Sequence, residues 1–208
     1  MERAIQDLVE QFAARAATPA GGAAAVLSLA LGAAVGLKVV RFTLTPGLES
    51  EGRAVLTAAE RELLRVVGEG LPKFEEDCRA VRGLLAYAKA ARKPRGTAIE
   101  RDLDRTALQE AMQVPLESLS LARDGIGAVE GVMGMIKPVL ISDAAAAASL
   151  MWSAAEISHW NLWNNAGWLT KPRQWAELLE RADAIKVAAR DSYEAVRAGA
   201  IERLGITK

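Results

Sequence analysis

The sequence predicts an all-α fold, built as a bundle of about six long helices joined by short loops. The 208 residues are rich in Ala, Leu, Arg and Glu, which have high or moderate helix propensity. Apolar residues recur every three or four positions, and no segment alternates apolar and polar residues convincingly, as a half-buried strand would. This length suits one domain, which we expect to span residues 1–208.

Turn residues divide the first half of the chain into three predicted helices. A short first helix ends near Ala17, and a second runs from about Pro19 to Thr43. The Thr-Pro-Gly sequence at 45–47 then predicts a turn. A third helix starts near Glu49 or Ser50 and runs to about Arg92, with Pro72 as a kink or break.

The second half predicts three more helices. A capping box at 97–100 starts a long apolar stripe that continues to Ile136, and Pro115 should bend this helix rather than end it. Ser142 and Asp143 form an N-cap pair for a fifth helix to about Ala166. The last helix starts at 170–172 and continues through Ala200.

The start of the second helix is almost free of side-chain bulk. Thr18 is a candidate N-cap before Pro19, and small residues recur at every fourth position on one face: Ala24, Ser28, Gly32 and Gly36. Such a face allows close approach of another backbone, and a glycine-rich helix start presents N–H groups to an anionic or polar ligand. A buried packing helix without a ligand is the competing interpretation. The uncharged length fits a membrane span, but its Ala and Gly content disfavours insertion.

The composition narrows the function classes. Lys plus Arg equals Asp plus Glu, at 26 each, which predicts no binding to nucleic acid or an acidic membrane. One histidine (His159) and one cysteine (Cys78) exclude an intrachain disulfide, do not suffice for the usual zinc site, and suggest a cytoplasmic protein. The acidic N-terminal residues are not typical of a signal peptide. Acid–base catalysis would therefore fall to a carboxylate, a lysine or a tyrosine.

Four segments carry a resemblance to a known family. They are Thr-Pro-Ala-Gly-Gly-Ala at 18–23, Asp-Cys-Arg-Ala-Val at 77–81 with Lys89, Ala-Met-Gln-Val-Pro-Leu at 111–116, and Ile-Ser-Asp at 141–143 followed by Asn161 and Asn165. Their order and spacing resemble the cyclodeaminase/cyclohydrolase family of folate enzymes, with the motifs T-P-G-G-G-[SA], D-A-x-A-F…K, A-x-x-V-P-L and I-S-D…N-V-x-I-N.

The resemblance implies an all-α homodimer that binds a tetrahydrofolate derivative as substrate, without a permanently bound cofactor. It implies that Asp77 is the active-site aspartate. The substrate-binding residues that it implies are Thr18, Pro19, Gly21, Gly22, Lys89, Ser142, Asp143, Asn161 and Asn165. The residue pattern alone would make Asp77 part of a solvated acidic face, Ser142 and Asp143 helix caps, and the two asparagines partners of buried backbone groups.

One segment departs from the family. The family has a basic loop, T-I-G-K-K-K-Y, where this chain reads Thr-Leu-Thr-Pro-Gly-Leu-Glu at 43–49 without a lysine. Arg92, Lys93 and Arg95 are candidates to hold an anionic folate tail in place of those lysines. We expect methenyltetrahydrofolate cyclohydrolase activity, with formiminotetrahydrofolate cyclodeaminase and a non-catalytic or repurposed helical dimer as alternatives.

The remaining aromatic and polar residues are expected to be structural. Trp160, Trp163 and Trp168 are interpreted as core or interface residues rather than a stacking platform. His159 is expected to be structural, and Cys78 is expected to be a buried thiol. Some predicted helices exceed what a compact monomer needs, and the small-residue face needs a close partner, which favours a helix-mediated homodimer.

Overall fold

The computed structural model describes residues 1–90, 98–167 and 175–206, and within these ranges the side chains of residue 90 and of 98–105 are left aside. The described chain is a bundle of one short and six long helices, with no strand among these residues. The helices are α1 Glu2–Ala13, α2 Gly21–Thr43, α3 Ser50–Gly70, α4 Lys73–Ala90, α5 Ala98–Glu130, α6 Ile141–Gly167 and α7 Ala176–Leu204. Two short 3₁₀ turns, Met133–Met135 and Pro138–Leu140, connect α5 to α6.

Two prolines have different effects on the helices. Around Pro72 the chain breaks, so the single third helix expected from the sequence is two helices, α3 and α4. Leu71, which precedes Pro72, keeps helical backbone angles, so the break comes from proline itself, which has no N–H to donate and whose ring clashes with the carbonyl one turn earlier. Pro115 lies inside α5, which continues on both sides of it, as expected. The expected helix starts at 97 and at 170–172 lie outside the described residues.

The centre of the bundle is an antiparallel pair, α2 and α6. Gly32 of α2 lies against α6, where a Cβ atom built on it would be 2.7 Å from Cγ of Met151 and 2.8 Å from the carbonyl oxygen of Ala147. At the opposite ends of the same pair, Lys38 contacts Asp143, and Gly21 faces Ile157. The expected close contact of the small-residue face is therefore confirmed at Gly32. Its partner is a helix of the same chain, so this face does not by itself require a second copy.

Both central helices are apolar along their length. In the described chain, α2 and the segment Pro138–Gly167 are long and apolar enough to cross a membrane. Each is also a core helix of the bundle, with fully buried residues such as Leu29 and Met151. A membrane span and a core helix can have the same length and composition. In this fold, packing against neighbouring helices accounts for the apolar residues that are buried.

The cysteine, tryptophan and histidine residues differ in burial and in contacts. Cys78 is buried, as expected. Trp160 and Trp163 are exposed on α6, so they are not core residues of this chain, and their expected alternative role in an interface stays a prediction. Trp168 lies outside the described residues. His159 is structural in this fold, because its Nε2 lies 2.6 Å from Oδ1 of Asp183 and joins α6 to α7.

Candidate functional site

Asp77 lies where α4 crosses the N-terminal end of α2. Asp77 is only 7 % exposed, although Glu75 on the same helix is exposed. A Cβ atom built on Gly22 would lie 1.9 Å from Oδ1 of Asp77, so only glycine leaves room for this carboxyl. Gly22 is therefore needed for the close approach of a side chain, not for an unusual backbone angle.

The environment of Asp77 changes its acidity. Burial raises the pKa of Asp77 from 3.8 to about 6, while the backbone N–H of Ala23, which donates to the carboxylate, lowers this pKa. The Oδ2 atom is buried without a hydrogen-bond partner in the described structure. A buried carboxyl with one oxygen free can hold or release a proton close to neutral pH, which general acid–base catalysis requires.

The first turn of α2 explains why Ala23 donates to Asp77. The N-cap residue of α2 is Ala20, which has no side-chain acceptor for the free N–H groups of this turn. The carboxylate of α4 supplies that acceptor, and the positive end of the helix dipole favours its charge. Thr18 was expected to cap this helix, which is wrong, because the helix begins at Gly21.

A cavity of about 220 Å³ opens beside the Asp77 carboxyl. We call it the Asp77 pocket. It combines small residues before and at the start of α2, apolar residues of α4, and amides of α6. Its lining residues are Ala20, Gly21, Gly22, Asp77, Val81, Leu84, Leu85, Asn161, Asn164 and Asn165. An apolar wall with a few polar groups is typical of a small-molecule site.

The three asparagines of α6 differ in what they can offer a ligand. The Nδ2 atom of Asn165 donates to the carbonyl oxygen of Ala111 at 2.7 Å, which ties α6 to α5. Asn161 and Asn164 make no polar side-chain contact within the described chain, so their amides are free to bind a ligand. Sequence reasoning named Asn161 and Asn165 and missed Asn164. The spacing of 161 and 164, which share a helix face, could have indicated it.

Thr18 and Pro19 precede the pocket residue Ala20 and do not themselves line the pocket. Oγ1 of Thr18 accepts a hydrogen bond at 3.1 Å from Nη1 of Arg82, an exposed arginine of α4. Arg82 lies between the pocket residues Val81 and Leu84 in sequence, and sequence reasoning did not name it. Thr18 and Arg82 are not among the pocket-lining residues, and their contact places a cation against the segment that leads into the pocket residue Ala20.

Ser142 and Asp143 do not line the Asp77 pocket. Helix α6 begins at Ile141, so both residues lie in its first turn and the expected N-cap role is wrong. Oδ2 of Asp143 forms an ion pair at 2.9 Å with Nζ of Lys38. Asp143 and Asn161 are separated by about 27 Å along α6, from the helical rise of 1.5 Å per residue. Within one protomer the structure therefore separates these two residues from Asp77.

The other predicted basic residues are placed less closely. Lys89 is exposed in the last turn of α4 and is not among the pocket-lining residues. Arg92, Lys93 and Arg95 lie outside the described residues. The role of Lys89 in substrate binding stays a prediction.

A second, larger cleft of about 590 Å³ is lined by residues of α3, α4 and α5 and by Arg181 of α7, and most of its charged side chains are paired with one another. Nζ of Lys73 is paired with both Glu76 and Glu117. Arg65 is paired with Glu69 and Asp124. Among the described residues no group of three or more His, Cys, Asp or Glu side chains is arranged to hold a metal ion. The Asp77 pocket, with its free carboxyl oxygen, is the better candidate for chemistry.

Comparisons with known proteins find the same fold and match most of the length of the chain. The chain superimposes on the crystal structure of formiminotetrahydrofolate cyclodeaminase from Thermotoga maritima with a TM-score of 0.75, at 20% sequence identity and over 96% of each chain. A search of curated proteins finds no match. The family described as formiminotransferase-cyclodeaminase matches residues 4–184. Because this match spans most of the 208 residues, the chain belongs to the formiminotransferase-cyclodeaminase family.

Proposed function

We propose that the chain hydrolyses 5,10-methenyltetrahydrofolate to 10-formyltetrahydrofolate in the Asp77 pocket. The observation that carries the proposal is the buried Asp77 carboxyl, whose Oδ2 has no partner and whose pKa is raised to about 6. Membership of a family of folate-processing enzymes supports a reduced folate as the substrate.

The chemistry needs one group that can stabilise a cation and transfer a proton. The methenyl carbon bridges two nitrogens and carries amidinium-like positive charge, which an ionised Asp77 would stabilise. Water adds to this carbon as the carboxylate accepts a proton from it. The bond from the carbon to the ring nitrogen then breaks, and the protonated carboxyl returns its proton to that nitrogen. The hydroxyl proton is released to water as the formyl C=O bond forms, so one proton leaves in each turnover. Asp77 thus ends the cycle ionised.

The amides and the apolar wall would bind the ring system. Asn161 and Asn164 each offer a donor and an acceptor that match the amide-like edge of a pterin. Val81, Leu84 and Leu85 offer apolar surface from α4. Removal of water from this wall strengthens the electrostatic effect of Asp77 on the bound cation.

Cyclodeamination of formiminotetrahydrofolate is the alternative reaction, and the similarity to a cyclodeaminase structure favours it. In that reaction the amine nitrogen outside the ring attacks the carbon of the protonated formimino group, and ammonia leaves. A proton passes from the attacking nitrogen to the leaving one, which a single carboxyl can mediate. A non-catalytic or repurposed dimer of the same fold remains the third candidate, favoured by the segment 43–49 that lacks lysines.

The test supplies both folates to the purified protein and measures formation or loss of the methenyl chromophore. Loss from methenyltetrahydrofolate above the buffer rate supports hydrolysis, and formation from formiminotetrahydrofolate with ammonia release supports cyclodeamination. The matched variant Asp77→Asn should lack whichever activity is seen. If the wild-type protein exceeds the buffer rate with neither folate, the enzymatic proposals fail and the non-catalytic dimer replaces them.

We also propose a homodimer formed through the outer face of α2. Leu31 and Phe42 lie eleven residues apart, about three turns, on the same side of α2, and they are 59% and 61% exposed. The neighbouring cation Lys38 is paired with Asp143 and so does not repel a second copy. Phe42→Glu should convert the dimer to a monomer in light scattering, and a monomeric wild-type protein would contradict the proposal.

A dimer would also explain how Ser142 and Asp143 could contact the substrate, because within one protomer they are far from Asp77. A site shared in this way requires a packing of the two copies that brings Ser142 and Asp143 of the second copy to the Asp77 pocket. Mixing inactive Asp77→Asn and Asp143→Asn proteins should then restore about a quarter of the wild-type rate, since half of the dimers would carry one intact site. A mixture that stays inactive would contradict the shared site.

A further inference from the structure

The Asp77 pocket extends along α4 toward a cation. Its apolar wall runs from Asp77 to Leu85, which is about 12 Å along the helix axis at 1.5 Å per residue. Arg82 lies within this span and reaches across to Thr18, two residues before the pocket residue Ala20. An elongated ligand that leaves the pocket between this wall and Ala20 would come close to the segment that Arg82 contacts.

Arg82 is also available to bind an anion. Its polar side-chain contact in the described chain is the neutral hydroxyl of Thr18, at 3.1 Å. By contrast, Nε of Arg79, one turn earlier on α4, lies 3.6 Å from the carboxylate of Glu110. A ligand carboxylate would exchange a neutral hydrogen-bond acceptor for a charged one, and charge-assisted hydrogen bonds are about twice as strong as neutral ones.

We propose that Arg82 is a specificity-determining residue that binds the carboxylate end of the substrate at the rim of the Asp77 pocket. The inference rests on the proposed folate function. It assigns to α4 the anion-binding task for which the segment 43–49 offers no lysine. Lys89 lies about 18 Å from Asp77 along the helix, so it is placed for groups farther along an extended tail.

The experiment compares two substrates and three variants. The substrates are 5,10-methenyltetrahydrofolate and an analogue in which the glutamate is replaced by an uncharged amide. The variants are Arg82→Gln, Arg82→Lys and the matched control Arg79→Gln, which removes an arginine of the same helix that lies against the carboxylate of Glu110. KM and kcat are measured for each pair.

Arg82→Gln should raise KM for the charged substrate by about ten- to hundredfold, the range expected for one hydrogen bond to a charged group. It should leave kcat within a factor of about two, and leave KM for the amide analogue near the wild-type value. Arg82→Lys should restore part of the loss, and Arg79→Gln should behave as wild type.

Two results would overturn the inference while the proposed function stands. One is an active wild-type protein that turns over both substrates with equal KM. The other is an Arg82→Gln protein whose KM rises equally for the charged substrate and the amide analogue, because an arginine with a merely structural role would not distinguish the two substrates. If wild-type protein neither turns over the folates nor binds 5-formyltetrahydrofolate in calorimetry, the proposed function has failed and the inference fails with it.

Discussion

The Asp77 carboxyl occupies the space that a side chain on Gly22 would need, since a Cβ atom at Gly22 would lie 1.9 Å from Oδ1 and 2.4 Å from Cγ of Asp77. The two residues are on different helices, α2 and α4, and are 55 positions apart in the sequence. Their contact sets both the burial of the carboxyl and its position beside the N–H groups of α2.

Gly22→Ala should displace the Asp77 carboxyl and lower both activity and stability. We expect a loss of about 1–3 kcal/mol in the free energy of unfolding, as for other overpacked sites. Gly21→Ala is the matched stability control, because its Cβ atom would meet only Cγ2 of Ile157 at 3.9 Å. Urea unfolding of both variants tests this. Equal stability of the two would show that the carboxyl moves aside at no cost.

Asp77→Asn should lower turnover by about two to four orders of magnitude, the share of one general acid–base group. In the wild-type protein kcat/KM should rise with pH until the Asp77 carboxyl is ionised, around its pKa of about 6. A stopped-flow profile from pH 4.5 to 8, corrected for the buffer rate, measures this. An unchanged rate in Asp77→Asn would show that another group accepts the proton.

The raised pKa of Asp77 also predicts how stability depends on pH. The folded protein holds this proton up to a pKa of about 6, whereas the ordinary value is 3.8, so the folded state binds more protons between these values. The contribution of Asp77 to stability is therefore fully present below pH 3.8 and is lost as the pH rises to about 6.

Unfolding of wild type and Asp77→Asn, compared at pH values between 4 and 7, isolates this contribution. The stability difference, wild type minus variant, should fall across the interval and stay constant above it. Other carboxylates titrate in both proteins and cancel in the difference. A difference that rises with pH would mean that charge on Asp77 stabilises the fold.

Gly32→Ala should destabilise the α2–α6 contact. Its Cβ atom would lie 2.7 Å from Met151 Cγ and 2.8 Å from the Ala147 carbonyl oxygen, which is backbone and cannot rotate away. We expect a loss of about 1–3 kcal/mol. Gly127→Ala in α5 meets nothing within 4 Å and should gain about 0.5–1 kcal/mol from helix propensity. Thermal unfolding of both should move Tm in opposite directions.

The fold class followed from the sequence because helical periodicity and turn residues are local signals. The break at Pro72 and the passage of α5 through Pro115 are both within the reach of such reasoning. The pairing of α2 with α6 is not, because it depends on which distant helix fits the small face of Gly32. That fit is decided by the positions of Ala147 and Met151, more than a hundred residues later.

The site was predictable only where a family resemblance marked it. Local pattern placed Asp77 on a solvated acidic face, since its neighbours Glu75 and Glu76 are acidic, whereas the crossing of α2 buries it. Asn164 and Arg82 carry no local signal stronger than that of other polar residues. Their positions beside the pocket follow from the crossing of three helices, which the order of residues does not display.

The donation from Ala23 to Asp77 links the order of one backbone turn to the charge on one side chain. When the carboxyl takes up a proton, the hydrogen bond that it accepts from the Ala23 N–H becomes weaker. When the proton is released, this hydrogen bond becomes stronger again. Hydrogen exchange at the Ala23 amide should therefore report the ionisation of Asp77, being faster at pH 5 than the intrinsic pH dependence of exchange predicts. The same amide offers a probe of ligand binding that needs no chromophore and no turnover.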